Sequence, residues 1–510
     1  MELTAFDGLA FVVFIAVVIG VSIYASRKED SSEDYFLAGR SLTWWLIGVS
    51  LIASNISSEH FVGMAGSGFS DVGLAIASYE WIAAISLVVI ALFLLPLYLR
   101  LGIYTMPEFL EHRYGVVPRT IMAFFMMIMY VVVAIASILY AGAVALTSIF
   151  GFNLTLGVWL IGILAAAYTI YGGLKAVVWS DLLQGAALLL GGLTVLVLGF
   201  SAVGGVGAFF EANSEKLHMI LPADHSEIPW TALCFGLWIP NFFYWGCNQF
   251  ITQRTLGAKS LAHGQRGVVF AASLKLIMPF IIVFPGIMAY QLYADEIEIM
   301  DQAYPVLITH ILPVGLRGIL FAALFGAVMS SLDSMLNSAS TIFTHDLFKR
   351  HFRPDAGHKT LILIGRIMTA VFVVIGCLVA PNLDDPKFGG IFKYIQMFQG
   401  FISPGILTVF IFGIAFRRAP AIAASVALIL NVIIYGFLLW TWPDMAFLNH
   451  MAITFTILVI TMGIITYIRP LPTAVSFEPI SQIDLTPSRT ARWFGALVCI
   501  LTVVLYIIFW

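Results

Sequence analysis

Between Ser50 and Gly68 the sequence places Ser54, Asn55, Ser57, Ser58, Glu59 and His60 inside a run long enough to cross a bilayer. Hydrocarbon penalises such groups. A charge at membrane depth costs roughly 2.5 to 3.5 kcal/mol on insertion scales, and Ser and Asn side chains compete with the helix for backbone hydrogen bonds. The residues therefore predict a helix broken near Asn55. Carbonyls freed at such a break are tolerated only against protein or a water-filled cavity, so they face inward. Inward-facing carbonyls and hydroxyls are the beginning of a site for a cation or a polar solute.

A second oxygen-rich face is formed by Ala327, Ser330, Ser331 and Ser334, which share one side of a helix at 100° per residue, with Asp333 at its edge. Alone, such serines bond their own i−4 carbonyls and let helices approach closely. Opposite the break at Asn55 they make a hard-oxygen set suited to sodium. Glu80 reads either as a solvated interface acid or as a group directed at a polar ligand. Asp181 follows the turn-permitting pair Gly172-Gly173 and is expected at the mouth on the basic-loop side, either as a helix N-terminal acid or on a cation path. Lys275 either snorkels to the interface or, facing inward, offers three donors to sugar hydroxyls. Pro240 beside Asn241 removes a backbone bond in mid-span and marks a second break. Gln396, shortly before a third interruption at Ser403-Pro404-Gly405, offers a donor and an acceptor to a hydroxylated solute.

These residues need elements that hold them at membrane depth. The 510-residue chain is 61% hydrophobic and only 10% charged, with a mean hydropathy of +0.98, which makes it an integral membrane protein. Spans of about 20 apolar residues are read at 9–25, 44–67, 75–99, 121–150, 156–171, 182–203, 230–250, 268–292, 311–343, 361–379, 392–416, 422–440, 447–467 and 493–510. The reading is all-α, with about fourteen transmembrane helices. The cysteines at 234, 247, 377 and 499 all fall inside spans and point to no disulfide framework. The first span has no basic region before it and no small-residue cleavage site after it, so no signal peptide is expected. A net charge of −3 points to no nucleic-acid partner; the lipid bilayer is the solvent.

About 20 of the 25 basic residues fall in alternate loops, among them Arg27, Arg113, Arg119, Arg254, Arg350 and Arg469. The other loops are acidic, at 211–227, 295–301 and 384–385. The positive-inside rule then turns both termini outward, as an even number of spans requires. Two interrupted helices, each opening a run of five spans, are the sequence mark of an inverted-repeat transporter with a site at the midplane. The implied division is 1–40, a first repeat over 41–205, a second over 206–416, and three scaffold helices over 417–510.

Long stretches of the chain resemble the sodium:solute symporter family, and within it the sodium/glucose and sodium/galactose branch. They are Glu33-Asp-Tyr-Phe-Leu-Ala-Gly-Arg40, Ser54-Asn-Ile-Ser-Ser-Glu-His-Phe-Val-Gly63, Gly73-Leu-Ala-Ile-Ala-Ser-Tyr-Glu-Trp81, Tyr171-Gly-Gly-Leu-Lys-Ala-Val-Val-Trp-Ser-Asp181, Tyr244-Trp-Gly-Cys-Asn-Gln249, and the run from Ser330 to Thr344. The resemblance implies a LeuT-like core of two inverted five-helix repeats, one helix before it and three after. It implies sodium (Na+) held by the carbonyls of Ala53, Ile56 and Ala327 and the hydroxyls of Ser330 and Ser331. It implies sugar contacts at Asn55, His60, Glu80, Asn241, Lys275 and Gln396, with Tyr244 stacking under the ring, and an outer gate of Met64, Tyr79 and Phe392. Asp181, Asp333 and Ser334 correspond to an exit path or a second sodium. His60, Phe243 and Asp333 differ from the bacterial galactose carriers, and His60 and Asp333 are similar to residues of animal glucose and myo-inositol carriers.

The expected activity is sodium-driven symport of a monosaccharide or polyol into a bacterial cell across the inner membrane, not enzymatic chemistry. A same-fold symporter for an amino acid, a carboxylate or sialic acid is the main alternative. A haem-copper enzyme needs several intramembrane histidines, and this reading places only His60 and His345 within spans.

Overall fold

The computed structural model describes residues 5–25, 31–56, 59–150, 153–383, 391–479 and 483–510. Among them the regular elements are all helices, and extended pairing is limited to isolated bridges at Leu42–Ala258 and Leu221–Pro229. A chain in hydrocarbon must satisfy its backbone within each segment, and helices do so. Among the described residues ten helices are long and apolar enough to cross a bilayer, eleven if Lys393–Gln399 and Ser403–Ala415, bent by 45°, form one span. The other spans read from the sequence fall on short or interrupted pieces. These are Trp44–Asn55 with Glu59–Met64 and Ala65–Phe69, the segment Leu154–Ala167, and Trp230–Phe235 with Trp238–Gly246. Length and composition alone therefore do not yield fourteen.

The predicted breaks have local causes. Helix Trp44–Asn55 stops because Ile56 turns extended, at φ −78° and ψ 102°. Around Pro240 the interruption is displaced: the chain leaves the helix before it, at Gly236, and again at Cys247 and Asn248. Pro240 itself lies in the first turn of Trp238–Gly246, where an N–H has no intrahelical partner to lose. The joint expected between Tyr171 and Asp181 is a kink at Gly173 (φ 50°, ψ −149°) inside Leu154–Ala202. The helix resumes at once, so Asp181 lies about two turns beyond the kink and is fully buried, not at a mouth. The span expected from Ile311 begins instead at Leu316, because Ile311 closes a separate helix, Ala303–Ile311.

Leu154–Ala202 packs against Leu316–Ile342 and Trp44–Asn55, and Leu261–Tyr293 also packs against Trp44–Asn55. The broken helix is thus enclosed, with Ser50 to Asn55 all buried. Both described ends of the chain lie at the acidic-loop end of the bundle. There the Met219 N–H donates to the Phe509 carbonyl at 2.8 Å, and Phe6 packs on Gly315. Residues 316–352 carry the chain to the other end, where Arg119 and Arg350 meet Glu111 at 2.5 and 2.9 Å.

Candidate functional site

Glu80, in the first turn of Ser78–Val89, and Lys275, within Leu261–Tyr293, are both buried and form an ion pair at 2.5 Å. Glu80 is therefore not a solvated interface acid and Lys275 does not snorkel. A buried ammonium needs an acid and further acceptors around it. Lys275 also donates to the side-chain amide oxygen of Asn55 and lies 5.0 Å from the centroid of the Trp245 ring. Asn55 passes the chain of contacts on, its Nδ2 donating to the Tyr244 hydroxyl at 2.9 Å. His60 Nε2 reaches the second Glu80 oxygen at 3.4 Å. The broken helix, its continuation and three neighbouring helices thus converge on one hydrogen-bonded cluster. Asn241 turns its Nδ2 back to the Leu237 carbonyl at 3.0 Å, one helical turn away.

A cavity lies against this cluster, lined by Asn55, Tyr244, Ser331, Gln396, Tyr130 and Asn248 among others. Its lining continues to Phe250 and Met335, towards the basic end of the bundle. On the acidic-loop side Met64 is fully buried and Tyr79 is 9% exposed. The side chain of Phe392, the third expected gate residue, lies outside the described residues.

The serine face meets the break as its spacing predicts. Ala327, Ser330, Ser331 and Ser334 are all buried, and the Ser331 hydroxyl donates to the Ser54 carbonyl at 3.2 Å. Ser330 donates to Asp181 Oδ1, while Ser334 donates to the Ser330 carbonyl at 2.6 Å and lies 3.2 Å from the Ser54 hydroxyl. Ser330 and Ser334 spend their protons on Asp181 and the Ser330 carbonyl, and Ser331 spends its own on the facing Ser54 carbonyl, so each oxygen keeps lone pairs. An acid behind the Ser330 hydroxyl fixes its orientation.

Asp181 is that acid. It accepts from Ser50 at 2.5 Å and Ser54 at 2.9 Å, and pairs with the Arg254 guanidinium at 3.0 Å. Arg254 also donates to Ser50 at 2.7 Å and Ser334 at 2.5 Å. The charge pattern assigns Arg254 to a basic loop; the structure instead buries it fully, within the helix Gln249–Leu256. The available signal was the polar run from Thr252 to Thr255 directly after an apolar span, every member of which is buried. Asp333 separates from Ser334: it accepts from Thr169 at 3.0 Å, whereas Ser334 joins the Asp181–Arg254 pair.

A model of the sodium:solute symporter family matches residues 35–431. The sodium/glucose cotransporter of Vibrio parahaemolyticus is 41% identical over an alignment covering all of this chain and 99% of the relative. Sodium/myo-inositol cotransporter 2 of Sus scrofa is 36% identical, over 84% of this chain and 69% of the relative. Among solved structures, a sodium-coupled sialic acid symporter in a substrate-bound outward-open state aligns with a TM-score of 0.81 at 22% identity, over 91% of this chain and 98% of that one. At that identity the likeness bears on the fold alone.

Proposed function

The chain belongs to the sodium:solute symporter family, and from that premise we propose that it carries a monosaccharide or polyol into the cell on the inward sodium gradient. It is a transporter and not an enzyme. The observation that carries the sugar reading is the buried Lys275–Glu80 pair bonded to Asn55, beside a cavity lined by Gln396 and Tyr244. A lysine already neutralised by an acid leaves no spare cation for a carboxylate. What the cluster offers is a set of paired donors and acceptors suited to neutral hydroxyls. Asn55, His60, Glu80, Asn241, Tyr244, Lys275 and Gln396 are the proposed solute ligands.

Sodium would lie between the carbonyls of Ala53, Ile56 and Ala327 and the hydroxyls of Ser330 and Ser331, tying the broken helix to the serine face. Asp181 stands behind the Ser330 hydroxyl, with Ser334 bonded to its partner Arg254, as support or exit path, and Asp333 faces Thr169. Coupling requires sodium to favour the conformer that binds solute. In our reading the two breaks belong to inverted repeats at 41–205 and 206–416, within fourteen spans. Met64 and Tyr79 close the outer side while the cavity leads to the cytoplasmic one. The basic end then faces the cytoplasm of a bacterial inner membrane, with both termini outside.

Uptake of labelled glucose, galactose and myo-inositol into proteoliposomes, with and without a sodium gradient, tests the reading. Accumulation above the external concentration only with sodium is the expected result. Equal uptake without sodium would refute it, and accumulation of sialic acid or an amino acid instead would transfer the proposal to the other solute class.

A further inference from the structure

The bend between Lys393–Gln399 and Ser403–Ala415 needs hydrogen-bond donors that the bent segment cannot supply. Pro404 has no N–H, so the Gly400 carbonyl lacks the donor an intact helix would place one turn on. Ile402 leaves the helix at φ −127° and ψ −35°. The N–H groups of Gly400, Phe401 and Ile402 each reach back three residues instead, to Met397, Phe398 and Gln399, all at 3.1 Å. Carbonyls released by such a break are costly within a membrane unless protein groups cap them.

Two side chains of helix Ala421–Thr441 brace the bend. Asn431 Nδ2 caps the Phe401 carbonyl and lies 3.5 Å from that of Gly400, while the Tyr435 hydroxyl adds a second donor, at 2.9 Å, to the Met397 carbonyl that the Gly400 N–H already reaches. Both residues are buried, and four residues apart they share one helix face. Their approach requires glycine opposite. A Cβ on Gly400 would meet the Tyr435 ring and hydroxyl at 2.1 to 2.6 Å, and one on Gly405 would meet Asn431 Cβ at 2.8 Å. Edge contacts with Phe401 at 5.0 Å and His450 at 6.4 Å hold the Tyr435 ring in place.

We propose that Asn431 and Tyr435 are positioning residues for the solute site. By capping the bend they set the direction of the arm Ile391–Gln399, and with it the amide of Gln396. Neither lines the cavity; both act through the arm that does. The inference rests on Gln396 being a solute ligand, and it takes a helix outside the proposed repeats from scaffold to determinant of affinity.

The test uses the full chain in proteoliposomes with labelled glucose or myo-inositol, and the variants Tyr435→Phe, Asn431→Leu and Asn431→Gln. Nitroxides at Lys393 and Ile411 report the bend by electron–electron distance without any solute. Tyr435→Phe and Asn431→Leu should raise the solute KM about three- to tenfold, the size of one lost hydrogen bond, and broaden the distance distribution. The sodium half-saturation should stay at the wild-type value. Asn431→Gln, which keeps an amide donor, should recover both properties relative to Asn431→Leu. Unchanged KM in a transporting protein, or turnover and sodium dependence falling together with solute affinity, overturns the proposal. If the wild-type chain carries none of these solutes, the transport reading fails, and the distance distributions alone decide whether the brace exists. Should Asn431→Leu fail to fold, Tyr435→Phe, which loses a single oxygen atom, carries the decision.

Discussion

A lysine and a glutamate that face each other inside a bundle cannot be altered singly at small cost. Lys275→Met leaves the Glu80 charge buried without its partner, a change that costs about 3–5 kcal/mol. The double variant Glu80→Gln/Lys275→Met removes both charges and should recover most of the thermal stability while solute binding stays lost. Unfolding midpoints and calorimetric titration of the three proteins separate the two effects. At the proposed sodium junction Asp181→Asn keeps shape but weakens the acceptor behind Ser330 and strands Arg254. Hydrogen bonds to a charged group contribute about 1.5–3 kcal/mol, so the sodium half-saturation should rise tenfold or more. Ser331→Ala should raise it too, by removing a proposed ligand. Asn55 was legible in the sequence because a polar group deep within an apolar run has only the protein interior to turn to, whereas Glu80 and Lys275, nearer span ends, could equally have met water until folding paired them. Arg254 was not, because an arginine just past an apolar run reads as a loop cation until folding brings Asp181 from another helix to neutralise it.

Among the elements, the kink at Gly173 tests how tightly the long helix Leu154–Ala202 is set. The left-handed φ of 50° strains any other residue, and a Cβ there would approach the Tyr35 carbonyl to 2.4 Å. The Tyr35 hydroxyl also reaches the Thr169 and Ile170 carbonyls just before the kink, at 3.4 and 3.3 Å. Gly173→Ala should therefore destabilise the fold by about 1–3 kcal/mol or more, read as a lower unfolding midpoint. The short helix Met106–Tyr114, between membrane spans, should respond to pH through Glu111. Burial alone would raise the Glu111 carboxyl, but hydrogen bonds and charge from Arg119 and Arg350 outweigh it and hold the group below its ordinary value of 4.5. A lowered pKa gives stability that is present above the ordinary value and lost as pH falls through the folded one. Amide exchange of residues 105–120 should therefore quicken selectively below about pH 4.5, and an unchanged rate there would discount the Arg119–Glu111–Arg350 contact. The interruptions at Asn55 and Pro404 were readable because Asn, Ser and Pro disturb helices locally. The displacement of the second break ahead of Pro240 was not, since a proline is harmless in a first turn. His450, also unread, is buried inside Phe447–Ile468 against Tyr435.

For the whole molecule, the potential across the membrane is the sharpest measure of the proposed cycle. One charge carried through 100 mV is worth about 2.3 kcal/mol, so each sodium per cycle should multiply the limiting solute accumulation about fiftyfold. Proteoliposomes held at set potassium diffusion potentials give that slope, and with it the number of ions; a slope of zero would exclude electrogenic sodium symport. What loop charge did make readable is that both ends fall with the acidic segments, as those near Phe6 and Phe509 do. Residues joined only by tertiary folding, such as Asn431 and Gly400, were not readable, because no periodicity links them. Lys275, Glu80, Asn55 and Tyr244 already bond to one another. A solute bound as proposed would have to trade partners with these residents rather than recruit idle ones, which would keep its net grip modest. A carrier made this way would surrender its cargo readily, and on the homeward stroke the Lys275 and Glu80 charges would cross the oil as a pair.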